Sequence, residues 1–398
     1  MEKRKKKKVL FGIEIAAMTF LYGILDTAGI YKYIVSIAII FTVFFLKKVY
    51  ICELKEQWYL FIPVILYCGM GACFSVFGGN LTFWTFKTLA FWLIPPALAL
   101  MLSKISGVNK IHMVDIQFYG AVISYLVTKI GYILIIGKWE SPFAFVFGMF
   151  VIYYIWHHRW GHGLLALALM HFANKRIAAL AVLLCLVLMI FLKLFRYSIK
   201  WIVTLWVLLM ATVVVYLYGI FSGLFTVFCE RFQIDTMTRI DIYTQIAQKV
   251  PKLQLRGNGL GAVNEMLAEM LGSGMFNRWY QNPHNDFLKI YIEVGAIGLI
   301  LYLISFLFIF FQAWKSGVEN RALSQLFVTS VYFMMLMTTD NVSIYILFLV
   351  PMYSICLALM SKKEKIYEED SYTYDGICYG VLHGRLRQDC NQRQCQPQ

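Results

Sequence analysis

The sequence predicts an all-α polytopic membrane protein with about 12 transmembrane helices and one large external loop that is partly helical. Hydrophobic residues make up 60% of the 398 residues, and only 15% are charged. The mean hydropathy is +0.67. A soluble protein of this length could not bury so much apolar surface, so lipid must cover part of it.

The apolar residues fall into twelve runs, which we predict to be the membrane spans. Two runs, the second and the seventh, are shorter than the ~20 residues that a helix needs to cross a bilayer unaided. We expect these two to lie inside a helix bundle or in a thinned bilayer. The runs cover roughly residues 9–30, 33–46, 58–77, 82–102, 116–136, 142–156, 162–173, 177–192, 201–222, 284–311, 322–339 and 342–360.

The positive charge follows the predicted topology. The formal net charge is +14 at pH 7, a balance that can indicate nucleic-acid binding. Here, however, the lysines and arginines fall mainly in alternate short loops, such as those holding Lys47 and Lys48 or Lys104 and Lys110. This distribution is typical of cytoplasmic loops. It predicts cytoplasmic termini, a bilayer as partner and no nucleic-acid partner.

The same topology divides the chain into four parts. The external loop contains two helix signals. Thr238-Arg239-Ile240-Asp241 resembles a capping box, with Pro251 as the stop signal. Residues 261–271 have apolar positions at helical spacing. The parts are 1–222 with nine helices, the loop 223–283, three helices in 284–360, and a polar cytoplasmic tail at 361–398 without an assigned role.

His284 lies where the external loop meets the tenth span. Asn282-Pro283 is a turn signal, so the helix is expected to begin close to His284. A helix N-terminus disfavours a protonated histidine, and a neutral imidazole can accept a proton from a hydroxyl. A titratable group is costly to keep at a membrane boundary, which favours a functional role. The alternative is an interfacial histidine that only keeps its polar edge in water.

Two arginines, Arg176 and Arg239, are predicted to face the same membrane surface as His284. Arg239 begins a predicted helix, where the dipole disfavours a cation, so an anionic ligand would explain it. A guanidinium group matches phosphate because it makes paired hydrogen bonds. For Arg176 the alternative is an ordinary loop charge. Arg256 is a weaker candidate in the same basic loop.

Two other patterns receive a structural interpretation. Residues 257–261 form a glycine-rich segment, which we interpret as a tight turn, with a phosphate-binding backbone nest as the alternative. His157, His158 and His162 invite a metal interpretation. No carboxylate or cysteine lies beside them, so a solvated loop is favoured and no metal site is predicted.

Four charged residues lie inside predicted spans and should face protein or a cavity, because lipid does not solvate charge. They are Asp26, Lys87, Lys129 and Glu293. Glu293 is nine residues after His284 and about half a turn around the helix from it, so we do not expect it to orient His284.

The region from Arg239 to about Leu301 resembles the O-antigen polymerase and ligase superfamily. Four segments carry the resemblance: an arginine-plus-aromatic helix start, a Gly-x-Gly-x-Gly element, a histidine signature and a second arginine position. They are Thr238–Tyr243, Arg256–Gly261, His284-Asn285-x-x-Leu288 followed by Glu293-x-Gly295-x-x-Gly298, and Asn174-Lys175-Arg176.

The resemblance implies a glycosyltransferase that moves a glycan from undecaprenyl diphosphate to a sugar hydroxyl outside the bacterial cytoplasmic membrane. It implies inversion at the anomeric carbon and no cofactor or metal. By the same resemblance His284 would accept the proton of the acceptor hydroxyl. Arg176 and Arg239 would hold the diphosphate and stabilise its departing charge, and Asn285 and Arg256 would contribute to substrate binding.

The chain fits a capsule or exopolysaccharide polymerase best, whose acceptor is another lipid-linked repeat unit. Its implied partners are the undecaprenyl-diphosphate-linked oligosaccharide, a flippase and a chain-length regulator. One alternative is a ligase, which uses a different acceptor. A flippase would show internal symmetry and polar groups along a central cavity, and neither is evident. A scaffold for polysaccharide assembly is the third alternative.

Overall fold

The computed structural model describes residues 2–27, 31–47, 58–105, 110–136, 141–234, 239–273 and 282–360. Fifteen α-helices and no strand are assigned within these ranges. The tail 361–398 and the capping residue Thr238 lie outside them. The helices are α1 (Glu2–Thr27), α2 (Tyr31–Lys47), α3 (Ile62–Phe77), α4 (Phe83–Ile105), α5 (Lys110–Ile136), α6 (Phe143–Trp156), α7 (Trp160–Phe172), α8 (Arg176–Leu194), α9 (Ile199–Ser222), α10 (Leu224–Arg231), α11 (Arg239–Lys249), α12 (Ala262–Gly272), α13 (Asp286–Lys315), α14 (Asn320–Met337) and α15 (Ile346–Leu359).

Each predicted apolar run coincides with one helix, which confirms an all-helical membrane protein. Among the described residues, six segments are long and apolar enough to cross a membrane. The count of about 12 spans is therefore not confirmed by length and hydropathy. The six are α1, α3 with the short 3-10 turn before it, α4, α8, α9 and α13, while α2, α6 and α15 are apolar but shorter.

Among the described helices, α6 lies inside the bundle, as does α15. All but one of the side chains of α6 are buried, including Phe143, Phe147 and Tyr154. The seventh run, α7, was expected to be either enclosed or in thinned bilayer. It buries one stripe, which includes Gly163 and Leu169, and exposes Leu164 and Leu165, so it lies on the perimeter. Enclosure by protein accounts for the short length of α6, since its ends need not reach water unaided.

The segment predicted to be external, residues 223–283, contains α10, α11 and α12; we call it the external segment. The predicted helix after Thr238 is α11, which ends two residues before Pro251. The second predicted helix is α12, which buries the apolar face that the spacing indicated, for example Leu267. α11 also buries one face, which includes Ile246.

α13 is interrupted at Gly295, and main-chain hydrogen bonds attach the external segment to α13 at this break. Gly295 has φ 76° and ψ −179°, which only glycine adopts readily. The freed Ala296 N–H donates to the Gln254 carbonyl at 2.8 Å, and the N–H groups of Asn258 and Gly259 donate to the carbonyls of residues 292 and 293 at 3.0 Å. We call residues 254–261 and 292–296 the glycine junction. Gly295 thus admits this loop, since an added Cβ there would overlap the Leu255 carbonyl.

Candidate active site

The main chain around His284 is fixed by three helices. His284 precedes the N-cap of α13 and has φ 55°, an unusual value for a residue with a side chain. On one side, the Asn285 side-chain oxygen accepts from Leu288 N at 2.9 Å, and its amide donates to Tyr216 of α9 at 3.0 Å. On the other, Tyr243 of α11 donates to the His284 carbonyl at 3.0 Å. A positive φ strains the backbone of a residue with a side chain, and such strain persists where the surrounding contacts hold the residue in place.

The imidazole of His284 faces a buried carboxylate. Its Nδ1 lies 3.7 Å from Oδ1 of Asp340, longer than a hydrogen bond but close enough for a strong charge interaction. Nδ1 itself is inaccessible, whereas the side chain as a whole is 41% exposed. The ring edge that carries Nε2 is therefore the one that reaches outward.

Asp340 is held as a carboxylate by its neighbours. Its Oδ1 accepts from Asn341 N at 2.8 Å and from the Tyr345 hydroxyl at 3.2 Å, and its Oδ2 lies 3.7 Å from Lys175 Nζ. Burial raises the pKa of Asp340, but His284, Lys175 and the Asn341 N–H outweigh burial and bring the pKa below its usual value. Asp340 is therefore ionised at neutral pH and can stabilise a positive charge on His284.

Arg239 lies at the same end of the bundle as His284. It is the half-buried first residue of α11, one turn before Tyr243. Burial raises the pKa of Tyr243 to about 12, while the charge of Arg239 acts on Tyr243 and on Tyr345. Since these two tyrosines contact His284 and Asp340 respectively, the guanidinium and the imidazole share one polar cluster.

The second arginine segment enters this cluster through a different residue. Lys175, and not Arg176, pairs with Asp340. Arg176 is the exposed first residue of α8 beside it, at the same end of the bundle. Its role as a diphosphate ligand stays a prediction, and Lys175 is an addition to the site.

Asn285 and Arg256 have surroundings that the sequence did not indicate. Asn285 is fully buried and acts as the N-cap of α13, so a role in substrate binding stays a prediction that the cap geometry does not favour. Arg256 is exposed, with its guanidinium 5.3 Å from the Phe74 ring, in an open cleft beside Asn80 and Asn258. Its predicted role remains compatible with this position.

The glycine-rich segment is a turn and not a phosphate nest. Its N–H groups already have protein acceptors: Leu260 N donates to Ser75 Oγ at 2.9 Å, and Gly261 N to Glu293 Oε1 at 2.9 Å. Glu293 is fully buried and also accepts from the Tyr67 hydroxyl. It faces protein, as predicted, and stabilises the glycine junction.

Of the histidines after α6, His162 belongs to a packed network. Arg159 donates to Asp115 at 2.6 Å and contacts His162 at 3.2 Å, and His162 also pairs with Tyr119 at 2.7 Å. His157 and His158 are exposed, so the expectation of a solvated loop holds for these two and is wrong for His162. No group of three metal-ligating side chains occurs in the described part of the chain.

A comparison with family models matches residues 161–303 to the O-antigen ligase family. Residues 161–303 are thus similar to the O-antigen ligase family. The matched region covers a little over a third of the chain and confirms the predicted resemblance to the O-antigen polymerase and ligase superfamily. No curated protein matches the sequence.

The matched region holds Lys175, Arg239 and His284, but Asp340 and Tyr345 lie beyond it. Neither Asp340 nor Tyr345 was predicted from the sequence. One signal could have found Asp340: Asp340-Asn341 is a polar pair between two apolar runs, on a side where the short loops carry little charge.

Proposed function

We propose that this protein is a polysaccharide polymerase. It transfers a glycan from undecaprenyl diphosphate to a hydroxyl of another lipid-linked repeat unit. The family match supports lipid-linked glycan transfer in general. The observation that carries the proposal is the pairing of His284 with buried Asp340, beside Arg239, at one end of a membrane-type bundle. We place this end on the outer face of the bacterial cytoplasmic membrane, with both termini on the inner side.

In the proposed reaction the acceptor hydroxyl donates its proton to Nε2 of His284. Its oxygen forms a bond to the anomeric carbon while the bond from that carbon to the diphosphate oxygen breaks. The electron pair leaves with the diphosphate, and attack opposite the leaving group inverts the anomeric centre. Asp340 offsets the charge of the imidazolium that forms, which is how a buried carboxylate assists a histidine base.

The diphosphate carries the developing negative charge, so cations must face it. Arg239 and Arg176 are the guanidinium groups at this end of the bundle, and such groups bind phosphate oxygens in pairs. They stabilise the leaving group more strongly as the bond breaks, which accelerates the reaction instead of only tightening binding.

Arg239→Ala is expected to lower the transfer rate about 10²-fold, because one positive charge at the leaving group is lost. Transfer is measured with purified protein and a lipid-diphosphate-linked donor, and Arg239→Lys should recover part of the rate. Arg231→Ala is the matched control, since Arg231 is exposed at the end of α10 in the same external segment. Equal rates for Arg239→Ala and Arg231→Ala would reject the assignment.

Asp340→Asn tests the positioning role of the carboxylate. We expect kcat to fall about 10- to 10²-fold with little change in the KM for donor, because His284 loses its charge partner while the substrate contacts remain. Asp340→Glu should restore part of kcat. Asp115→Asn, which also removes a partly buried ion-paired carboxylate, is the control at the other end of the bundle. A change in KM alone would contradict the role.

A ligase that uses a different acceptor is the second candidate, since the matched family is described as O-antigen ligase. A deletion strain separates both enzymes from a flippase. We expect single repeat units to accumulate on the outer leaflet, whereas accumulation on the inner leaflet would indicate lost translocation. A scaffold would leave point mutants of the site without effect.

A further inference from the structure

Three lysines outside the histidine site lie near the starts of three helices. Lys32 is the second residue of α2, Lys87 the fifth of α4, and Lys289 the fourth of α13. α4 begins beside the glycine junction, where the Thr85 hydroxyl donates to the Leu260 carbonyl at 3.0 Å. The lysines therefore lie near the end of the bundle that holds His284.

Two of these lysines lie over one aromatic ring, and Lys32 lies over its neighbour, with Nζ 5.4 Å from the centre of the Tyr33 ring. Lys87 Nζ lies 5.6 Å and Lys289 Nζ 5.9 Å from the centre of the Phe91 ring, and the Tyr33 ring lies 5.2 Å from it. Lys87 is also close enough to interact electrostatically with both Lys32 and Lys289. Residues of α2, α4 and α13 thus bring three like charges together. Lys289 is buried and Lys32 and Lys87 are partly buried, so their repulsion is stronger than in water.

Two donors of this group, on Lys289 and Tyr33, lack acceptors among the described residues. Lys289 is 1% exposed, and its Nζ has no hydrogen-bond partner among the described residues. The Tyr33 hydroxyl is equally without a partner in that part of the chain, and Tyr33 is 8% exposed. A buried ammonium or hydroxyl without an acceptor is costly, so the site is short of an acceptor-rich group.

The neighbouring carboxylates do not fill this role. Asp286 and Glu293 attract Lys289, but each already accepts two hydrogen bonds. Asp286 accepts both from Ser343, at 2.9 and 2.7 Å. Glu293 accepts from Tyr67 and from Gly261. Asp26 interacts with Lys32 at the edge of the group. The carboxylates reduce the net charge of the group, yet they leave the donors of Lys289 and Tyr33 unsatisfied.

We infer that Lys32, Tyr33, Lys87 and Lys289 bind the diphosphate of a second isoprenoid-linked saccharide, the acceptor of the proposed reaction. Phosphate oxygens are the strong acceptors that these donors lack. The first turns of helices place the lysines at head-group depth, and helix N-termini favour anions.

This inference rests on the proposed function and deepens it. A polymerase joins two substrates that each carry a lipid diphosphate, whereas a ligase whose acceptor has no such group needs one diphosphate site. Lys289 follows the start of α13 by about one turn, so the lysine group and the His284 cluster flank the same helix end. Two diphosphates bound there would bring both saccharides to one histidine.

Binding stoichiometry tests the inference without catalysis. With full-length protein in a maltoside detergent, we expect the wild type to bind two undecaprenyl diphosphates and Lys87→Met to bind one. Arg239→Ala should also bind one, having lost the other site. Lys315→Met, at the exposed far end of α13, should bind two. Lys32→Met is a second variant of the lysine group, on a separate helix, and should weaken the same site.

A single wild-type site, or two sites in Lys87→Met with an unchanged melting temperature, would overturn the inference. Displacement of the second diphosphate by an equal concentration of phosphatidylglycerol would also overturn it, because the lysines would then bind a bilayer phospholipid.

Acceptor discrimination provides a kinetic test. We compare kcat/KM for a lipid-diphosphate-linked acceptor with kcat/KM for the same oligosaccharide without lipid diphosphate. Lys87→Met should lower this ratio about tenfold or more, as expected for a lost charged hydrogen bond. An equal effect on both acceptors would overturn the inference alone. Absence of transfer by the wild type to either acceptor would instead reject the proposed function.

Discussion

Replacement of His284 with alanine is expected to lower glycan transfer by about 10²- to 10⁴-fold, the range that general base catalysis contributes. The variant keeps Asp340 and Arg239, so it should still bind the lipid-linked donor. The measurement is the single-turnover rate with purified protein, together with the chain-length distribution of the polysaccharide in a complemented deletion strain.

The matched control for this variant is His171→Ala. His171 is an exposed histidine in the last turn of α7, on the same predicted side of the membrane. We expect His171→Ala to produce polymer of normal length. Normal polymer from His284→Ala, in protein that reaches the membrane in normal amount, would exclude His284 as the catalytic base.

Gly295→Ala is expected to destabilise the protein by about 3–5 kcal/mol, a sum of backbone strain and overpacking. At φ 76° and ψ −179° the backbone disfavours any side chain. An added Cβ would also overlap the Leu255 carbonyl and the Arg256 main chain, which cannot move without breaking the glycine junction. The expected result is a lower melting temperature in detergent and a lower yield of monodisperse protein.

Gly272→Ala controls for the loss of a glycine as such. Gly272 ends α12, and a Cβ there would meet nothing within 4 Å. Its effect should stay within about 0.5 kcal/mol, as for other surface changes. If Gly295→Ala and Gly272→Ala melted at the same temperature, the break in α13 would not be required for the fold.

The helices could be predicted because their signals are local. The twelve apolar runs give twelve helices, since each run reflects an environment that the whole segment shares. A capping pattern and a proline stop in residues 238–251 predicted α11, and apolar spacing in residues 261–271 predicted α12. The position of His284 near a helix start was also local, because Pro283 restricts what precedes the helix.

The side-chain contacts of the site were not predictable in the same way. Asp340 meets His284 and Lys175 only after three distant segments pack together, and no local pattern records such a meeting. To predict that Lys175 and not Arg176 pairs with Asp340, one needs the rotation of α8 about its axis, which the sequence does not fix. The break at Gly295 was hidden because the residues on both sides of it remain apolar and helical.

Under the proposed function, the glycine junction affects how the protein can acquire a new saccharide specificity. Three of its hydrogen bonds, made by residues 258, 259 and 296, join main-chain atoms only. Such bonds persist when exposed neighbouring side chains are exchanged, provided the glycines remain. Mutations that alter sugar contacts in the external segment can therefore accumulate one at a time, while the attachment of that segment to α13 is inherited unchanged.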